Sequence, residues 1–395
     1  MGAVCATGAS VEDFWTNATN GVCGTEIRTI KANDGTEITV PVAQADAWRA
    51  LNPDLGRDIA RADDFSKFAA FAADEAVKAS GLDFAERDLG GRTATIIGTG
   101  IGGQSSLEDT YINMLCFEKR PHPLTILRLI PNAAASHLSI RYGLRGPAFA
   151  ISSACASGAH AIGVAADLIR AGSCDAAVAG ASEAIINKGA LQAWKQMHIL
   201  SDGLCRPFSK NRKGLIIGEG AGVLVLEEYE RAKARGATIH AEILGFGMNA
   251  DGKDMINPAV EGAAAAMQAA LAGVRLPDAA KIYVNAHGTG TLMNDPTETK
   301  AIRATLGADA DHIAVSSTKA MHGHLLGAAG GVESIMAIKA LGAGVVPPTI
   351  NYDVPDPECD LDVTPNEARE RPIELAISNS FAFGGLNAVL AFGRV

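Results

Sequence analysis

From about residue 60 to the end, short β-rich runs alternate with longer Ala-rich stretches, the pattern of an α/β fold. The runs predict strands at Thr93 to Ile97, Ala148 to Ser152, Ala176 to Ala179, Val223 to Leu226, Ile282 to Asn285, Ile313 to Ser316, Leu375 to Ser378 and Ala388 to Phe392. The stretches between them predict helices at Asp64 to Lys78, Ser157 to Arg170, Gly262 to Ala272, Thr297 to Thr305 and Leu325 to Leu341. A charged segment, Glu227 to Arg235, ends at Gly236 and separates one block of strands from the next. This places the boundary between a first half, 1–235, and a second, 236–395. No Gly/Ser or Pro-rich linker joins them, so the halves are expected to pack rather than hang on a tether. No sequence repeat between them is visible.

Composition narrows the class. With 395 residues, 48% hydrophobic, 20% charged and 43 glycines, the chain is long enough for a sizeable core and many tight turns, as in a globular α/β enzyme. No run of eighteen uncharged apolar residues offers a membrane-spanning helix. The first residues lack a basic region followed by an apolar core, and Ala6 stands where a myristoylation signal after Gly2 wants Ser or Thr. The expected setting is the cytoplasm. Seven scattered cysteines without ligand spacing fit free thiols rather than zinc. A net charge of -10 makes nucleic acid a poor partner. The densest basic groupings are Lys119-Arg120 and Arg206, Lys210, Arg212, Lys213, which read either as solvated faces or as a docking patch for an acidic protein.

Three glycine-rich segments carry candidate chemistry. Ile151-Ser152-Ser153-Ala154-Cys155-Ala156-Ser157-Gly158 joins a strand to a helix, where free backbone N–H groups and the positive helix end favour a thiolate and can hold an oxyanion. Small neighbours leave room for an acyl thioester; a buried structural cysteine is the alternative. Asn285-Ala286-His287-Gly288-Thr289-Gly290-Thr291 puts His287 at the C-terminal end of a strand, where ligands of α/β sheets collect, with two threonine hydroxyls beside it. In Ser316 to His324 two histidines precede a helix; they read as metal ligands or, with His324 nearest the helix and His322 more exposed, as one catalytic histidine. Lys319 and Glu333 are spaced to pair across this turn, as a tuning pair or as a surface ion pair. One Cys, two His and one Lys at strand ends form a far more informative set than any member alone.

Gly98-Thr99-Gly100-Ile101-Gly102-Gly103 also fits the dinucleotide fingerprint after a strand, but no acidic residue ends a second strand at the proper distance, so close backbone packing explains it better.

These segments resemble those of the β-ketoacyl-acyl carrier protein synthases of the elongating class, within the thiolase superfamily. The resemblance covers nearly the whole chain. It includes Lys319 to Gly331, Arg206-Pro207-Phe208-Ser209 and Asn379-Ser380-Phe381-Ala382-Phe383-Gly384-Gly385, while Gly307 to His312, Asp356 to Val363 and Pro365 to Arg371 resemble a branch that includes the nodulation ketosynthases. The resemblance implies a five-layered αβαβα fold of two similar βαβαβαββ halves and a homodimer, with a related subunit as the alternative partner. It implies decarboxylative condensation of an acyl thioester with malonyl-acyl carrier protein, no cofactor of its own, and phosphopantetheine arriving on the carrier. In the roles it implies, Cys155 is the nucleophile and His287 and His324 stabilise the enolate. Lys319 and Glu333 tune the histidines, and Phe383 gates the site and shares its N–H in the oxyanion hole. Thr289, Thr291, Ile101 and Phe381 meet substrate, and Lys119 and Arg120 dock the carrier. Cys-His-His separates this class from initiating synthases, with Cys-His-Asn, and from thiolases, with a second Cys. A noncatalytic chain-length factor, the rival from another class, typically lacks the nucleophile. Three departures stand out: no strand is expected ahead of the first glycine turn, Ala382 replaces a glycine, and Leu386 stands where Thr is common.

Overall fold

The computed structural model describes residues 1–57 and 59–395. The first half contributes β1 (Gly2–Val4), α1 (Asp64–Ser80), β2 (Thr93–Gly98), α2 (Ala133–Tyr142), β3 (Ala148–Ile151), α3 (Ser157–Arg170), β4 (Ala176–Glu183) and β5 (Gly220–Glu227). The second contributes β6 (Glu242–Ala250), α4 (Val260–Leu271), β7 (Ile282–Asn285), α5 (Asn294–Leu306), β8 (Ala314–Ser316), α6 (Ala329–Ala343), β9 (Leu375–Ala382) and β10 (Leu386–Gly393). The first sheet has the order β1-β5-β4-β2-β3 and the second β6-β10-β9-β7-β8, the same βαβαβαββ topology twice.

The five layers follow from which surfaces are apolar. All eight residues of β4 and of β9 are buried, as central strands covered on both faces must be. Helix α6 is apolar nearly all round and packs on β5 of one sheet and β9 of the other, while α3 does the same with β4 and β10. These two helices are the middle layer. Helices α1 and α2 cover the first sheet from outside, and α4, flanked by α5, covers the second. The window Leu326–Ala343 is long and apolar enough to cross a membrane, but 83% of it is buried, the mark here of a core helix. Local signals set the ends: Asp63 caps α1 by accepting from the Phe65 N–H, and Gly81 closes it in the left-handed conformation.

The expected elements all form, with several limits moved. Strand β9 runs on to Ala382, and the helix expected from Leu325 begins at Ala329 after a 3₁₀ turn, Leu326–Ala328. The expectation of a missing first strand is overturned. Gly2–Val4 pairs antiparallel with Ala221–Val223, and three residues suffice because β1 is an edge strand held on one side only. Strand β6 went unread because it is a half-exposed edge carrying two glycines, Gly245 and Gly247. A small sheet of Glu26–Lys31, Glu37–Ala43 and Ile217–Gly218 was also missed.

Candidate active site

The turn from β3 into α3 is sharp, since Ala154 is in the left-handed region at φ 49°. Ser157 clasps it: its hydroxyl donates to the Ala154 carbonyl at 2.7 Å and accepts from the Ser153 N–H at 2.9 Å. Cys155 is thereby held at the N-terminus of α3, only 4% exposed. His324 arrives from the other half, and its Nε2 lies 3.0 Å from the Cys155 Sγ. The His324 Nδ1 accepts the Leu326 N–H at 3.3 Å, so the proton of the neutral ring is on Nε2 and faces the sulfur. The rings of His287 and His324 are 5.3 Å apart and nearly perpendicular.

Acidic residues that no motif singled out pin the His287 segment. Glu298, on α5, accepts the N–H groups of His287 at 2.8 Å and Gly288 at 2.7 Å, and its carboxylate also accepts from the Asn379 side chain at 3.0 Å. Asp295 accepts from the Phe208 N–H at 2.7 Å and the Gly290 N–H at 3.2 Å. Backbone donors in glycine turns need acceptors when water is excluded, and these carboxylates supply them.

Lys319 donates to Glu333 in a wholly buried pair, which removes the surface-pair alternative. His322 is buried too, a correction to its expected exposure. Its Nδ1 meets the Gly323 carbonyl at 2.8 Å and its Nε2 the Thr318 hydroxyl at 3.0 Å, so both nitrogens are committed within its own turn. Burial, reinforced by the Lys319 charge, holds His287 and His324 well below the ordinary histidine range and His322 at about 3. Burial also pushes the Cys155 thiol up to about 12 against the opposing charge of Lys319. This burial opposes the thiolate expected from the helix terminus.

A cavity of about 240 Å³ brings together Cys155, His287, His324, Thr289, Thr291, Phe381 and Phe383. The Thr289 and Thr291 hydroxyls are 2.9 Å apart, and the Phe381 ring lies 6.2 Å from His287. His198, Ile256 and Met293 are among the other wall residues, unforeseen from the sequence. Phe383 sits in the turn between β9 and β10, its ring 6.1 Å from Trp194. That turn is tied to the loop bearing Ile256: the Gly384 N–H donates to the Met255 carbonyl at 2.8 Å and the Asp251 N–H to the Gly385 carbonyl at 2.8 Å.

Ile101 is not in this cavity. Its N–H faces inward to Glu183, and its side chain is left 43% exposed. The Gly98–Gly103 turn holds this carboxylate of the chain itself, Thr99, Gly100 and Ile101 all donating to Glu183, which accounts for its fingerprint without a nucleotide. Lys119 and Arg120 are exposed beyond the helix Gln104–Phe117. In the second basic grouping Arg212 is buried against Asp356, and Arg206 is 2.9 Å from Asp353, so neither is a free docking cation.

A larger cavity, about 390 Å³, opens at the opposite end of the first sheet. Its arginines are spent on structure, Arg170 on Asp167 and the Ile243 carbonyl, Arg235 on Glu227 and the Ser80 carbonyl, and no cysteine lines it.

Comparison with known proteins places this geometry. Residues 1–232 match the family model of the beta-ketoacyl synthase N-terminal domain and residues 240–353 that of the C-terminal domain. The chain is 43% identical to nodulation protein E of Rhizobium sp. (strain N33), covering 100% of this chain and 98% of that one. It is 41% identical to 3-oxoacyl-[acyl-carrier-protein] synthase 2 of Staphylococcus aureus (strain COL), covering 100% and 97%. A solved type II PKS acyl-carrier protein in complex with its ketosynthase, bound to the hexaketide, superposes with a TM-score of 0.88 at 30% identity, over 100% of this chain and 97% of that one.

Proposed function

Because the chain belongs to the beta-ketoacyl synthase family, with its thiolase fold and its acyl-transferring condensation in fatty acid or polyketide synthesis, we propose that Cys155, His287 and His324 carry out that condensation at one buried point. The observation that carries this assignment is the 3.0 Å contact between Sγ and Nε2, made by residues 169 positions apart, with the second imidazole 5.3 Å from the first.

In the first half-reaction the Cys155 sulfur attacks the acyl carbonyl of a carrier thioester. The carbonyl oxygen gathers charge against the N–H groups of Cys155 and Phe383, the carbon–sulfur bond to phosphopantetheine breaks, and the thiol proton leaves with the departing sulfur. The His324 Nε2–H donates to the sulfur as it loses its proton, offsetting the desolvation that opposes the thiolate. In the second, malonyl-carrier enters along Thr289 and Thr291, whose hydroxyls hydrogen-bond the pantetheine amides in this reading. Neutral His287 and His324 donate to the malonyl thioester oxygen, carbon dioxide leaves, and the electron pair becomes an enolate. Its carbon attacks the acyl-Cys155 carbonyl, the sulfur is released, and a 3-ketoacyl-carrier results. Phe381 shapes the wall beside His287, and Phe383 swings between the half-reactions. These steps need no resident cofactor, since phosphopantetheine arrives on the carrier. Ile101, outside the cavity, is given no step.

The experiment is mass spectrometry of carrier-bound products after incubation with a ladder of acyl-carrier donors and malonyl-carrier. A 3-ketoacyl-carrier two carbons longer than the donor is expected; a product formed from acetyl-CoA without malonyl-carrier would point to a thiolase instead. Lys119 and Arg120 are the proposed contacts with the acidic carrier. Reversing both charges is expected to raise KM for carrier-linked substrates by roughly tenfold, about 1.4 kcal/mol, and to spare simple thioesters. Equal effects on both substrate types would remove them from docking.

A homodimer fits the edge strand β3, which has one hydrogen-bonded neighbour, and the exposed apolar side chains nearby in sequence, Leu115, Ile126, Leu127, Ile140 and Phe149. A related subunit in place of the second copy is the alternative, and a monomeric mass in sedimentation would exclude both. Seven cysteines without a disulfide suit the cytoplasm.

A further inference from the structure

The Cys155 and His324 segments belong to opposite halves, so their 3.0 Å contact requires something to fix the seam between them. One wholly buried carboxylate accepts from both sides of it. Glu183, at the end of β4, takes the Thr99 hydroxyl at 3.1 Å and the N–H groups of Gly100 at 2.6 Å and Ile101 at 3.3 Å from the first half. From the second half it takes the Gly327 N–H at 3.0 Å, three positions after His324. The approach is so close that a Cβ at Gly327 would lie 2.2 Å from the Gly100 nitrogen and 2.6 Å from the Glu183 carboxylate. The main chain of His324 crosses the same seam on its other side, donating to the Ile216 carbonyl at 2.6 Å and accepting from the Gly218 N–H at 2.9 Å.

We propose that Glu183 is a positioning residue that clamps the glycine turn after β2 to the His324–Gly327 segment and so sets the distance between sulfur and imidazole. This rests on the roles given above to Cys155 and His324. The carboxylate does not line the cavity, and although its charge also reaches Cys155, the positioning effect proposed for it passes through His324, which the cycle below isolates. Substituting glutamine keeps one oxygen but turns an NH₂ toward backbone donors that need an acceptor, which opens the clamp at nearly constant volume.

The test is the rate of acyl transfer from an acyl-carrier donor to Cys155, in a double-mutant cycle with His324→Ala. Glu183→Gln is expected to lower kcat by about tenfold to a hundredfold, as small misplacements of reacting groups do, with KM unchanged within about twofold. In the His324→Ala background the same change is expected to cost less than about twofold, because the residue it positions is gone. Equal losses in both backgrounds, or a folded Glu183→Gln protein with parental kcat, would overturn the proposal. Should Glu183→Gln fail to fold, Thr99→Val, which removes one donor from the same carboxylate, goes through the same cycle and decides by the same criterion. Unlabelled parent protein would refute the role of Cys155 itself; labelled parent with additive losses refutes only the role of Glu183.

Discussion

Cys155→Ala protein is expected to take up no labelled acyl group from an acyl-carrier donor and to lose condensation by about 10⁴-fold or more, the scale set by removal of a covalent nucleophile. The same protein is expected to go on releasing carbon dioxide from malonyl-carrier. The two outcomes separate because decarboxylation does not use the sulfur: enolate formation needs only the two imidazoles, whose ring centres are 5.3 Å apart, and neither depends on the sulfur for its orientation. His324 is fixed by the backbone contacts on its ring and main chain, and His287 by Glu298 below its turn. The mirror experiment, His287→Ala, is expected to remove decarboxylation while leaving acyl uptake largely intact. Acyl label on Cys155→Ala would mean that another residue is the nucleophile. The six remaining cysteines offer none within the cavity, since only Cys155 lines it.

How much of this was legible in the sequence depended on the range of the interactions involved. Cys155 and His287 announced themselves because their settings are local: a strand ends, glycines follow, and a reactive side chain stands at the junction. The convergence of the two halves was legible only through resemblance, since no sequence pattern reports a contact over 169 positions. Glu298, Asp295 and Glu183 went unread for a different reason. Each is an ordinary acidic residue in sequence, and its work is to accept backbone N–H groups whose lack of partners cannot be seen before the turns are folded. A signal was nonetheless present. Asp295 and Glu298 stand three apart, hence on one face of the helix that follows the His287 turn, and Glu183 is the only charged residue of a strand otherwise made of small or apolar side chains. His322 was misjudged because its greater distance from the following helix was read as exposure. The short helical turn Lys319–His322 folds back against the core and buries both histidines. The three residues of β1 are too few to show any alternation at all.

Lys319→Met is expected to be the most damaging substitution to the fold and to the second half-reaction together. Lys319 and Glu333 are both fully buried, and removing one partner strands the other's charge, a loss of about 3–5 kcal/mol. Burial already pushes the Glu333 carboxyl upward, so the unpaired residue would escape part of this cost by taking up a proton. The double variant Lys319→Met/Glu333→Leu, with no charge left to strand, is expected to recover most of the stability in denaturant unfolding. The chemical consequence is separate and has a definite sign. Lys319 disfavours protonation of His287 and His324, second only to burial itself. Decarboxylation requires neutral rings as donors, so activity is lost as pH falls through their pKa. In the parent that loss lies well below the ordinary value of about 6.5, leaving the rate flat through the neutral range. Without the ammonium the pKa of both imidazoles rises, and the acid limb of malonyl decarboxylation moves up toward that ordinary value. The double variant is expected to share this shift while folding well, which is the arm that isolates electrostatics from stability. Were it to keep the parental pH profile, burial alone would account for the neutral histidines, and Lys319 would be left with the buried ion pair as its only role.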